Sequence, residues 1–355
     1  EYNNLGQMVK ALVNNRETLY EYSAEGFLIK ETDPIGRVTS YTRDLAGRIT
    51  SETDPEGKTS FYRYDSAGNQ TALTLPNGQE HLFKFNSYNE ESEYLPPIGT
   101  NPERVIASYD LDKRLNRRDF PTGESMLISY TPEGKEFSLE DVTKVTLPVE
   151  GREIKYFRDY ETTNLLRSVE DNNSQVSYDY IGDLPIKESL NSTYVSGSFE
   201  QTFDNFFRAS QLQTSAYGSQ ASADLLYDGD DILSQIGNLS IASDQRGLMD
   251  SSSLHNVYTD YDFSNFRELS QIATGINGQP IFNETIASRD NLGRITSLNL
   301  QSPSENAQYS FSYDLRGQLV EVQKNGSVVE TFSYDDNGNR LTTNAVQVPA
   351  VIDEQ

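Results

Sequence analysis

The chain of 355 residues has no cysteine, no tryptophan and only two histidines, His81 and His255. The absence of cysteine excludes a disulfide framework, thiolate zinc sites and a cysteine nucleophile. Neither histidine sits in a Glu-x-x-His, His-x-His or Gly-x-Ser-x-Gly context, so no catalytic, metal or cofactor residue is assigned to them. Positive charge is also scarce: 29 Lys and Arg stand against 54 Asp and Glu, a net charge of −25. That balance repels nucleic acid and anionic lipid, which are bound through basic clusters. The densest basic run, Lys113-Arg114 and Arg117-Arg118, is flanked by Asp110, Asp112 and Asp119. No apolar run approaches the roughly 20 residues needed to span a bilayer, so no membrane insertion is expected of this segment. No stretch holds a helical period for three turns, so little helix is expected.

What the chain has in quantity is one short phrase. Tyr64-Asp65-Ser66-Ala67-Gly68-Asn69, Tyr313-Asp314-Leu315-Arg316-Gly317-Gln318 and Tyr334-Asp335-Asp336-Asn337-Gly338-Asn339 are near copies. Tyr2 to Gly6, Tyr22 to Gly26 and Tyr130 to Gly134 keep its spacing. From Gly26 the glycines fall at Gly36, Gly47, Gly57, Gly68 and Gly78, steps of 10 and 11, so the period is 21. A second turn alternates with the first, led by proline at Asp33-Pro34-Ile35-Gly36, Asp54-Pro55-Glu56-Gly57 and Leu75-Pro76-Asn77-Gly78. Fixed recurrence of this kind marks a repeat architecture.

The turn chemistry follows from the residues. Asp suits the first position of a type I turn, where its carboxylate accepts a backbone N–H, and Gly suits the fourth, which needs φ > 0. Pro34 and Pro55 fill the second position, where φ near −65° is required anyway. Such turns close antiparallel hairpins, typically with a Gly bulge.

Between turns the chain reads as strand. Aromatic residues recur two apart: Tyr20 and Tyr22, Tyr62 and Tyr64, Phe83 and Phe85, Tyr178 and Tyr180, Phe311 and Tyr313, Phe332 and Tyr334. Two apart on a strand means one face. These twelve residues form the candidate binding face, although the favoured explanation is packing along the inner face of the sheet against cross-strand neighbours. About 10.5 residues per strand and turn give roughly 30 strands, or about 140 Å of flat sheet at about 4.8 Å per strand. Open sheets rarely pass about 10 strands without curling. The expected fold is therefore all-β, a long antiparallel sheet of repeat hairpins coiled into a spiral or hollow shell.

The alternating turns at a period of 21 resemble the RHS or YD-repeat family. Arg43-Asp44-Leu45-Ala46-Gly47-Arg48-Ile49-Thr50 and Arg289-Asp290-Asn291-Leu292-Gly293-Arg294-Ile295-Thr296 are variants of its repeat. The resemblance is strong over 20–80 and 285–343 and weakest over 135–200. Phe203-Asp204, Tyr227-Asp228 and Tyr109-Asp110 are worn copies, the last with Lys113 in place of Gly. The resemblance implies a cocoon like those of bacterial ABC-toxin components, polymorphic toxins and teneurins. In the toxins the cocoon encloses a C-terminal toxin segment. It also implies a secreted or surface protein whose partners are enclosed C-terminal polypeptide cargo or adjacent shell segments. The core segment that ends the toxin repeats and cuts the cargo free is not matched here, so its aspartates are not carried over. Opening at Glu1-Tyr2, inside a repeat, is expected of a piece cut from a longer protein.

Regular repeats are expected over 1–135, degenerate repeats with longer loops over 136–240, repeats again over 241–343 and a tail over 344–355. Phe137 to Val142 and Lys144 to Val149 still read as strands. A residue that recurs in every repeat cannot be a unique catalytic group, so Asp65, Asp314 and Asp335 are turn caps. Tyr227-Asp228-Gly229-Asp230-Asp231 lacks EF-hand spacing and reads as an acidic repeat turn, with Ca²⁺ binding left open. The expected function is non-enzymatic: a shell segment around a C-terminal cargo, or alternatively a carbohydrate- or cell-surface-binding module using the aromatic face. A hydrolase with paired carboxylates has no motif behind it.

Overall fold

The computed structural model describes residues 1–97, 104–131, 141–148, 150–160 and 162–345. Of the expected features, the turn at Gly134, the strand residues Phe137 to Glu140, Val149 and the tail from 346 onward lie outside the described residues. The described residues form 31 strands and no helix.

Two units divide the chain. Unit 1 comprises Glu1–Leu82, Leu248–Ser251 and Asn256–Gln355, and unit 2 comprises Phe83–Gly247 and Ser252–His255. In each unit the strand pairings are antiparallel and join strands consecutive in the chain, as in Thr59–Tyr64 with Gln70–Thr74 and Ser196–Phe203 with Ala209–Ala216. The hairpins have the geometry that the turn residues require. Gly47 N–H donates to Asp44 O at 2.9 Å and Asp44 N–H to Arg48 O at 3.0 Å. The ladder shifts register beside these turns, as at Thr42/Arg43 and Arg63/Tyr64. That is the bulge that a type I turn with a left-handed fourth residue produces.

Strands of the regular repeats hold 5 or 6 residues, but later ones reach 8 and 11, as in Ser327–Tyr334 and Gln279–Arg289. The cause is local. The Pro-led turn is replaced there by two-residue turns with both φ positive, Asn277-Gly278 and Asn325-Gly326. These tight turns leave more of each 21-residue repeat for the ladder.

The burial pattern is that of a wall. Among the described residues the buried apolar side chains are Ala72, Ala107, Ala307 and Val322, and no large side chain is fully buried. The twelve paired aromatics are all half-buried. The residue between the two members of each pair points the other way and is exposed: Glu21, Arg63, Lys84, Asp179, Ser312 and Ser333. The alternation is the strand period of two, read out as burial.

Candidate functional site

The two members of each aromatic pair do different work. The second is a strut. Tyr64 OH donates to Ile49 O at 2.9 Å, Tyr313 OH to Ile295 O at 2.8 Å and Tyr334 OH to Leu319 O at 2.8 Å. Tyr22 and Tyr180 make the same bond to Met8 O and Leu166 O, each at 2.8 Å. The reason lies in the ladder. Ile49–Thr53 pairs with Thr59–Tyr64 only through Ser51, Glu52 and Thr53, so the strands diverge near the Asp-led turns. The hydroxyl spans the gap and satisfies a carbonyl that the ladder leaves open. In the variant repeats an arginine takes this place: Arg43 Nε donates to Leu28 O at 2.9 Å and Arg289 Nη2 to Leu269 O at 2.7 Å. Phe85 occupies the strut position without a hydroxyl.

The first members pack along the face. Phe83 stacks on Tyr94 with ring centroids 5.2 Å apart, Tyr62 OH lies 3.3 Å from Glu52 Oε2, and Phe332 lies 5.7 Å from the Arg340 guanidinium. Tyr20, Tyr178 and Phe311 are half-buried beside them. The structure therefore keeps all six pairs on strands, but commits the hydroxyls of Tyr22, Tyr64, Tyr180, Tyr313 and Tyr334 to backbone. Changing Tyr64 to Phe keeps the ring and leaves the Ile49 carbonyl unpaired, so a loss of about 1 kcal/mol is expected in urea unfolding. An unchanged midpoint would contradict the strut.

Each Asp-led turn is locked by its aspartate. Asp44 Oδ1 accepts the N–H groups of Ala46 and Arg48 at 2.9 and 3.0 Å, and Arg48 Nε reaches Asp44 Oδ2 at 2.7 Å. Asp65 and Asp335 bind the amides of Asn69 and Asn339 in the same way, at 2.9 and 3.0 Å. The basic residue then crosses to the next repeat: Arg48, Arg114, Arg208 and Arg294 lie 4.3–4.7 Å over the rings of Tyr64, Tyr130, Tyr227 and Tyr313. Asp228 caps its own turn, accepting from Asp230 and Ile232 N–H at 2.9 Å each, and Asp231 pairs with Arg208. His255 sits in a turn with φ 55°, and His81 is a strand residue opposite Leu73.

These contacts set the acid stability. The Arg48 and Arg114 guanidinium groups hold Asp44 and Asp110 below the ordinary carboxylate range, and the Asn69 and Asn339 amides do so for Asp65 and Asp335. Asp171, bound by Asn173 N–H and the Ser174 hydroxyl, is lowered to about 2. A carboxyl whose folded pKa lies below its unfolded value of about 3.9 stabilises fully above that value. The contribution is lost as pH falls through the folded pKa. The urea midpoint is therefore expected to be level from pH 7 to about 5 and to drop between about pH 4 and 2. A level midpoint down to pH 2 would show that the caps contribute nothing.

Sequence reasoning missed a second feature, an edge-to-edge junction inside unit 1. Arg16 Nη1 and Nη2 donate to Glu268 Oε1 and Oε2 at 2.6 and 3.1 Å, and the same guanidinium lies 3.8 Å over the Phe266 ring. Further along, Arg37 Nη1 donates to Leu315 O at 3.1 Å and Asn77 N–H to Asn337 Oδ1 at 3.3 Å. Arg316 Nε lies 2.6 Å from Asp54 Oδ2 as an ion pair without hydrogen-bond alignment, and Lys58 pairs with Asp336. Every contact joins the Pro-turn edge of 14–77 to the Asp-turn edge of 264–338. The one signal in the sequence is a cation directly after the Pro-turn glycine, Arg37 and Lys58.

A thin antiparallel wall with interlocked repeat turns defines the class, a YD-repeat shell. A sequence model described as the teneurin YD-shell matches residues 1–353, and the chain belongs to that family. It is a structural shell segment. It is 26% identical over 249 residues to teneurin-3 of Danio rerio, covering 66% of this chain, and 25% identical over 260 residues to teneurin-4 of Mus musculus, covering 69%. The chain spans 9% of the length of either relative. Among solved structures, a Tc holotoxin pore of Photorhabdus luminescens aligns with 96% of this chain and 21% of its own at 13% identity and TM-score 0.45. A TcdB2–TccC3–TEV crystal structure aligns with 97% of this chain and 25% of its own at 10% identity and TM-score 0.34.

Proposed function

We propose that this segment is a wall of a secreted or cell-surface shell that encloses a polypeptide cargo, with the half-buried aromatic face turned to the enclosed space. The observation that carries this reading is the lack of a solid core: only small residues and Val322 form the buried apolar set among the described residues. A single sheet stabilised by turn caps, struts and cross-strand pairs is suited to bounding a space rather than filling one. The test extends the protein through its native C-terminus and follows limited proteolysis. A downstream segment digested far more slowly than the same peptide free in solution supports enclosure. Equal rates overturn it.

A second reading, carbohydrate binding, is favoured by a different surface. A groove of about 330 Å³ in unit 1 is lined by Asn283, Thr285, Asn299, Gln301, Asn306 and Gln308. Uncharged amides and a hydroxyl offer paired donors and acceptors to neutral polyols. Glycan-array binding that Asn299→Ala abolishes supports this reading, and an array without hits removes it.

A further inference from the structure

The basic run Lys113-Arg114 and Arg117-Arg118 contains one residue that the shell architecture does not use. Lys113 lies 4.6 Å over the Tyr88 ring. Arg114 binds Asp110 and Asp112 at 2.6 and 2.8 Å. Arg117 Nε donates to both Asp119 oxygens at 2.8 and 2.9 Å. Arg118, on the opposite face of the strand Leu115–Asp119, makes no hydrogen bond, ion pair or ring contact with the described residues. Its Nε is buried without a partner, and so is Asn116 Oδ1, two residues away on the same face.

The surroundings deepen the imbalance. Arg118 pairs across the ladder with Ala107 on one side and Met126 on the other. Two residues further along those strands stand Tyr109 and Ile128, both half-buried. Burial pushes the Tyr109 phenol up, the Glu91 and Glu90 carboxylates add to the rise, and the Arg118 charge nearby draws it part of the way back. A guanidinium half out of water beside apolar groups, with no ion pair or hydrogen bond among the described residues, is unfavourable unless a partner arrives. The other three cations of the run have acidic or aromatic partners, in a chain of net charge −25; this one is kept open.

We propose that Arg118 forms the anchor of a binding site on unit 2 for an extended peptide that presents a carboxylate between apolar side chains. The guanidinium takes the carboxylate, the fork geometry that arginine and carboxylate share. Ala107, Met126, Tyr109 and Ile128 meet the flanking apolar residues, two apart on an extended chain as they are on the sheet. The net acidic charge gives no general attraction for such a peptide, so recognition depends on this one cation. The site stands whether or not the shell encloses a cargo, because it concerns a face of unit 2 alone.

The test uses the whole chain and fluorescein-β-alanyl-Leu-Val-Glu-Val-Leu-amide, with the glutamine peptide as its isostere. Fluorescence anisotropy is expected to show at least tenfold tighter binding of the glutamate peptide. Arg118→Gln is expected to reduce that preference to under twofold, with Arg118→Lys between. In the wild-type protein the Arg118 side-chain N–H resonance, identified by its loss in Arg118→Lys, is expected to shift with the glutamate peptide only. This second readout holds if Arg118→Gln disturbs folding. Equal binding of the two peptides, absence of binding, or an unmoved resonance overturns the site.

Discussion

Gly47→Ala is expected to destabilise unit 1 by about 3 kcal/mol, the sum of about 1–2 kcal/mol of left-handed backbone strain and about 1–3 kcal/mol of overpacking. Gly47 has φ +82°, and a Cβ there would lie 2.4 Å from Phe27 Cε1 and 2.6 Å from Cζ. The ring cannot yield cheaply, because it is the residue after Gly26 and covers the next repeat's turn. The same relation recurs with softer side chains: Gln7 lies over Gly26, Arg48 over Gly68 and Gln318 over Gly338. Gly57 is the control. Its φ is also +82°, but a Cβ would meet nothing within 4 Å. Gly57→Ala is therefore expected to cost only the backbone part, about 1 kcal/mol. Equal urea midpoints for the two variants would show that lateral packing of the turns does not matter.

Charge reversal at Arg16 is the second large effect. Arg16→Glu sets two carboxylates against each other at a junction where the pair is only about one-fifth exposed, 20% and 23%. It also removes the guanidinium from the Phe266 ring. The expected loss is about 3 kcal/mol, toward the lower end for breaking a buried pair because some solvent remains. Glu268→Arg in the same chain is expected to recover at least half of it. Arg63→Glu, whose pair with Glu80 is 63% exposed on the arginine side, is expected to cost under about 1 kcal/mol. No recovery in the double variant would show that Arg16 and Glu268 do not meet.

What could be read from the sequence was what is local. The Asp and Gly of each turn, the bulge beside it and the alternation of aromatic and exposed residues all follow from a few neighbouring positions. The strut could not be read, because it depends on where adjacent strands part. Tyr64 and Ile49 come together only once the ladder of Ser51, Glu52 and Thr53 is in place. With that geometry known, Arg43 and Arg289 are intelligible as replacements for tyrosine, donors of equal reach to the same carbonyl position. The junction was further from view. Its partners are 250 or more residues apart, as Arg16 and Glu268 are by 252. No periodicity links a Pro-led turn with an Asp-led one so distant.

Worn repeats were legible only as departures. Lys113 and Phe207 stand where glycine belongs and take φ +65° and +62°. The turn persists around them because Asp110 and Asp204 still cap it, with Arg114 and Arg208 in place. The turn therefore survives loss of its glycine where the aspartate cap is kept.

The central claim is that the two turn edges of unit 1 lock together across the length of the chain. The most direct measurement uses the absence of native cysteine. Lys58→Cys and Asp336→Cys are introduced together and treated with a short bis-maleimide. The account predicts rapid formation of an intramolecular link, seen as a faster-migrating monomer on denaturing gels and confirmed by peptide mass. Lys58→Cys with Glu25→Cys, on the opposite turn edge, is predicted to stay unlinked. Linkage of both pairs at the same rate, or of neither, would contradict the interlocked edges.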